Sequence, residues 1–81
     1  MIKVVHLGTN LSTEIDPTSG NILEQASIAI FNMAHKGIFL LENYPQEIAL
    51  EGINLADSME ICLRVYRIGI KTGLIREMET V

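Results

Sequence analysis

The sequence predicts a mainly α-helical single domain: an antiparallel hairpin of two long helices, with a short N-terminal β-strand or β-hairpin arm, assembled as an oligomer. Three observations predict it. A β-branched run opens the chain and stops at Gly8, and two long apolar stretches of helical periodicity follow, separated by Asn43-Tyr44-Pro45. Those stretches also carry more apolar surface than two helices can hide in each other.

The arm spans residues 1–16. Residues 2–7, Ile-Lys-Val-Val-His-Leu, read as a strand that ends at Gly8-Thr9-Asn10, and Leu11 to Ile15 is a second extended piece able to pair back. A two-stranded hairpin alone is barely stable in water, so the arm must rest on the helices or pair with another subunit.

Asp16-Pro17-Thr18-Ser19-Gly20-Asn21 concentrates turn formers. Either Asp16 with Pro17 in the first turn, or Asn21 with Glu24 three residues later, can start helix one, placed at 20–41. Gly37 lies inside that span, which is open to a break near Lys36-Gly37. Pro45 pushes Tyr44 out of the α region and suits the first turn of helix two, placed at 45–71 with a tail at 72–81. Gly52 is a weak point within helix two, and Gly69 and Gly73 mark its fraying end. The short connection predicts that the helices lie antiparallel.

On a helical wheel the apolar residues of helix one, among them Phe31 and Ile38, span roughly 200°, about twice the stripe one neighbouring helix covers. Helix two has a main apolar arc of about 120°, made by Ile48, Leu55, Ala56, Met59, Cys62, Leu63, Tyr66 and Ile70, which is expected to meet helix one. A separate stripe of Leu50, Ile61, Val65 and Ile68 falls within about 60° on another side. These four, with Phe31 and Ile38, are the expected oligomer interface, in a homodimer or higher even oligomer.

Composition narrows the alternatives. With 81 residues the chain forms one marginal core, which small domains reinforce with disulfides, metal or self-association. Cys62 is the single cysteine and the histidines are only His6 and His35, so neither a disulfide nor a paired-ligand metal site is expected. Hydrophobic residues make up 48% of the chain and charged ones 20%, which excludes disorder. The net charge of −4 gives no basic signal for nucleic acid, and two long helices lack the short recognition helix of a helix-turn-helix. Glu24, Asn32, His35 and Lys36 interrupt the most apolar stretch, so no membrane span is expected, and a cytoplasmic location is the default.

The clearest polar pattern is Asp57, Glu60, Arg64, Arg67 and Lys71, within about 80° of helix two. It reads first as a solvated face with a Glu60–Arg64 pair. The sharper reading makes Arg64, Arg67 and Lys71 a cationic row for an anionic or nucleotide-like ligand at the oligomer interface, with Tyr66 or Tyr44 as a stacking surface. Glu24, Ser27 and His35 are triad residue types, but Ser27 and His35 are about 12 Å apart along one helix. Gly69-Ile70-Lys71-Thr72-Gly73 lacks the glycine before Lys-Thr that a phosphate loop needs. Cys62 on the main arc reads as a buried inert thiol.

No cofactor and no catalytic constellation is expected. The first functional expectation is therefore a small non-enzymatic homo-oligomeric interaction protein, a regulator, inhibitor or adaptor with a protein partner. The second is a binder or sequestering protein for a small anionic ligand.

Overall fold

The computed structural model describes residues 2–18 and 20–75. Its elements run β1 (Ile2–His6), β2 (Ser12–Ile15), α1 (Ile22–His35), a 3₁₀ turn (Leu41–Asn43), β3 (Ile48–Glu51) and α2 (Leu55–Thr72). The strands form one sheet in the order β2-β1-β3, so the fold is α+β and the mainly α hairpin is overturned.

The N-terminal segment is no detachable arm, because β1 is the central strand and is antiparallel to both neighbours. Val4 pairs with Thr13 on one side and Leu50 on the other, and His6 pairs with Ile48. Alternation puts Ile2, Val4, His6, Ile15, Ile48 and Leu50 on one face. The first five are buried, while Lys3, Val5, Ser12, Glu14, Ala49 and Glu51 form the outer face. Four residues, 7–10, close the β1–β2 hairpin, with Asn10 in the left-handed region at φ 59°.

Segment 46–51 was expected to be the start of helix two. Its Gln, Glu, Ala and Leu favour a helix weakly, but the open edge of β1 offers a full ladder of hydrogen bonds and two inward seats for Ile48 and Leu50. Gly52, at φ 78°, then turns the chain, and Asn54 caps α2 by accepting the Asp57 N–H at 2.8 Å. Helix two thus begins ten residues later than the sequence implied. Pro45 follows a cis Tyr44–Pro45 bond in the turn before β3 and does not open a helix.

Helix one starts at the Asn21 cap, whose side chain accepts the Glu24 N–H, and stops at His35 rather than residue 41. Gly37, at φ 76°, is the reason. Its N–H donates to Ala34 O and the Ile38 N–H to Met33 O, the paired bonds of a left-handed helix cap. Ala26, Ala29, Ile30 and Met33 are the buried side of α1, which lies against β1 and β2, and α2 packs on α1 through Ile61 and Val65. Phe39, Leu41 and Ile75 close the core. The tail read at 72–81 lies, beyond residue 75, outside the described residues.

Candidate functional site

The two faces of α2 are the reverse of the sequence expectation. Ile61 and Val65 are 0% exposed and form the side that meets α1. Leu55 is 77% exposed, Met59 60%, Leu63 49% and Tyr66 50%. The wheel chose the larger arc as the inside, but Gly69 decides otherwise. Without a Cβ it lets Leu41 and Ile75 close against the Ile61–Val65 side.

The proposed interface residues are therefore redistributed. Ile61 and Val65 belong to the protomer's own core and are out of a second copy's reach. Leu50, Phe31 and Ile38 are half-buried and pack on that core, and Leu50 does so from β3. Ile68 alone of the six is counted among the exposed large side chains. In their place stands an outer arc of α2, Leu55, Met59, Tyr66 and Leu63, within about 80° of the helix circumference.

The cationic row is not assembled into one site. Arg64 lines a depression of about 510 Å³ between the helices, together with Glu24, Ser27, Ile28, Phe31 and Ile68. Its Nε lies 3.6 Å from Glu60 Oε1, beyond hydrogen-bond range, and is shielded from solvent with no acceptor among the described residues. Arg67 and Lys71 are exposed and do not line the depression. Tyr66 projects about 100–160° around the helix from the three cations, so it cannot stack over what they hold.

A second concavity runs between α1 and β2. One part, about 440 Å³, is lined by Leu11, Ser12, Thr13, Ala29, Asn32, Met33, Lys36 and Ile38. A shallower part of about 240 Å³ continues past Thr13, Ala29 and Asn32 to Glu14, Ile15, Gln25 and Ile28. Sequence reasoning missed this groove. Its one signal is the extended piece Leu11 to Ile15, which the sequence predicts as a hairpin strand and not as the wall of a cleft.

His6 is the buried polar centre of the fold. Thr9 donates its N–H to His6 Nδ1 at 3.2 Å and its hydroxyl lies 2.8 Å from the same atom, so Nδ1 is the acceptor and Nε2 carries the proton. Nε2–H then points to Glu47 Oε1 at 3.3 Å, and the ring tilts against Phe39 at 5.9 Å. The trio resembles a hydroxyl-imidazole-carboxylate relay in composition. Its bonds instead tie the 7–10 turn to the strand entering the sheet from Glu47, whose carbonyl also accepts the Leu7 N–H.

Ser27 is buried and donates to Leu23 O at 2.8 Å, His35 is exposed, and Cys62 is half-buried. Burial, and secondarily Cys62, pushes the Tyr44 hydroxyl up to about 12. Among the described residues no three His, Cys, Asp or Glu side chains gather as metal ligands would, and no helix is long and apolar enough to cross a membrane. Compared with known proteins, the chain matches no protein family, no curated protein and no solved structure.

Proposed function

We propose that this protein is a small self-associating interaction protein, a regulator, inhibitor or adaptor, that acts through the outer face of α2. One observation carries the reading: Leu55, Met59, Leu63 and Tyr66, each about half exposed or more, share one arc of the longest helix. Fully burying one such side chain contributes about 1.5–3 kcal/mol. Because each is already partly covered, 49–77% exposed, completing the burial of eight across a two-fold axis contributes about 6–18 kcal/mol, comparable with the roughly 4–15 kcal/mol cost of association.

The test is sedimentation equilibrium at 10–100 µM concentrations, on the order at which ~8 kcal/mol interfaces populate. The expected result is a dimer or larger that Met59→Glu with Leu63→Glu returns to the 9.0 kDa protomer, with helical circular dichroism retained. A wild-type chain of protomer mass throughout that range would sink the reading.

The shielded Arg64 Nε favours a second reading, capture of a small amphiphilic anion between the helices. Phe31, Ile28 and Ile68 would take the apolar body and Arg64 the charged head. Glu24 in the same depression, and Glu60 beside the guanidinium, weaken the field for a free anion, which is why self-association ranks first. A thermal-shift screen of aliphatic and aromatic carboxylates, repeated on Arg64→Ala, separates the two. A stabilisation that survives the substitution removes this reading.

A further inference from the structure

Strand β2 is an edge of the sheet, and among the described residues its outer side pairs with no other strand. His6 N–H donates to Leu11 O, so His6 and Leu11 form a hydrogen-bonded pair. Antiparallel ladders alternate. Val4–Thr13 and Ile2–Ile15 are then the next hydrogen-bonded pairs in the register, and the N–H and C=O of Ser12 and Glu14 turn away from β1. Four backbone groups, repeating every two residues, face outward along the lip of the groove that α1 walls.

The groove repeats at the same interval. Its deeper part lies against residues 11–13 and its shallower part against residues 13–15, a displacement of two residues along the strand. At about 3.3 Å per residue that is roughly 7 Å, the spacing at which an added strand presents successive side chains to one face. Hydrogen-bonding groups and side-chain seats are thus in phase. A small-molecule cleft has no need of that coincidence, and a partner helix would leave the outward backbone groups unmatched.

Charge sets the direction. Lys36 stands at the deep end and Glu14 at the shallow end, where Glu14 is 3.9 Å from Lys3 across the strand pair. An antiparallel strand beside β2 runs parallel to α1, so its N-terminal end meets Glu14 and its C-terminal end meets Lys36. Leu11, Met33 and Ile38 floor the deep seat, which takes a large apolar side chain; Ala29 and Ile15 back the shallow seat, which takes a smaller one.

We propose that the cleft between β2 and α1 binds an extended peptide segment of a partner protein, which adds antiparallel to β2 as a fourth strand. The segment reads small apolar, any residue, large apolar, any residue, acidic, so that the acid shares the groove face with the two apolar side chains. The acidic side chain pairs with Lys36, and the backbone engages Ser12 and Glu14. This surface is separate from the outer face of α2, and the proposal stands whether or not the chain self-associates there.

The probe is a displayed library of random twelve-residue peptides, followed by fluorescence anisotropy of a labelled winner on the intact chain. The expected result is enrichment of the stated pattern, with binding kept by the Met59→Glu, Leu63→Glu double variant. Glu14→Pro removes an outward N–H and leaves the β1 ladder intact, because an edge strand accepts proline on its free side. It should weaken the peptide roughly tenfold, the worth of about one hydrogen bond and its alignment, at an unchanged melting temperature. Asn32→Trp, at an exposed position lining both parts of the groove, should abolish binding, and Lys36→Glu should switch the selected acid to Lys or Arg.

No enrichment over the Asn32→Trp protein would overturn the proposal, and so would a peptide that Glu14→Pro leaves unaffected. If Glu14→Pro instead lowers the oligomer mass in the absence of peptide, the edge belongs to a second copy of this chain and the partner segment is wrong.

Discussion

Ile75 closes over Gly69. Its N–H donates to Gly69 O at 3.0 Å, and its Cγ1 lies 2.7 Å from the point where a Cβ on Gly69 would stand, with Leu41 Cδ2 at 3.2 Å from the same point. Alanine at 69 gains about 1 kcal/mol of helix propensity but overpacks a filled seat, at a cost of about 1–3 kcal/mol. Gly69→Ala should therefore lower stability by about 1 kcal/mol net and the melting temperature by roughly 4–8 °C, with Gly69→Val lower still. Thermal circular dichroism checks the order; a rise in melting temperature on Gly69→Ala would contradict the packing described.

The two sides of α2 should separate protomer stability from association. Ile61→Ala empties a fully buried position and should cost about 2–5 kcal/mol, whereas Leu63→Ala on the outer arc should stay within about 0.5 kcal/mol for the isolated protomer. Urea titrations at submicromolar protein measure the protomer alone. Equal losses at the two positions would mean that the faces of the helix are assigned the wrong way round.

Asn54 satisfies two groups at the start of α2. Its Oδ1 accepts the Asp57 N–H at 2.8 Å and its Nδ2 donates to Asp57 Oδ2 at 3.1 Å. Asn54→Ala should cost about 1 kcal/mol, and Asn54→Asp less, because aspartate keeps the cap and loses only the amide donor. Chemical denaturation of the three proteins gives the ranking, and an alanine variant as stable as wild type would refute the cap's role.

Tyr44 makes stability fall at alkaline pH. Burial holds its neutral phenol, so the folded pKa of about 12 exceeds the ordinary value of 10.0. The unfolded chain then releases this proton first, so the contribution is complete below pH 10 and is lost as pH climbs toward 12. Tyr44→Phe keeps the ring and removes the ionisation, so its unfolding midpoint should decline less than that of wild type between pH 9 and pH 12. Parallel declines in the two proteins would show that Tyr44 titrates as an open phenol.

Local chemistry was legible where it decides structure. The β-branched run of residues 2–7 and the extended piece of residues 11–15 contain β1 and β2, and Asn21 with Glu24 was one of two helix starts on offer. The break near Lys36-Gly37 that the sequence left open is where α1 stops, whereas Gly52, expected as a weak point within helix two, is a left-handed turn between β3 and α2. What stayed hidden depends on distant partners. Gln46 to Glu51 becomes a strand because β1 has an open side, and His6 meets Glu47 across 41 positions of sequence. The faces of α2 were reversed for the same reason: the periodicity of a helix reports its stripes, while Leu41 and Ile75 decide which stripe is inside.

The place of β1 at the middle of the sheet bears on the protein's birth rather than its working life. Its first neighbour follows a four-residue turn, but β3 pairs with Val4 and His6 only after about forty more residues have been made. At ~5–20 residues per second, translation leaves one flank of Ile2–His6 bare for several seconds. During that interval Val4 and Ile2 offer a sticky half-sheet to any other nascent chain, and Lys3 is the strand's sole charged deterrent. Slowing synthesis between codons 15 and 48 should thus raise the insoluble yield of an otherwise sound protein.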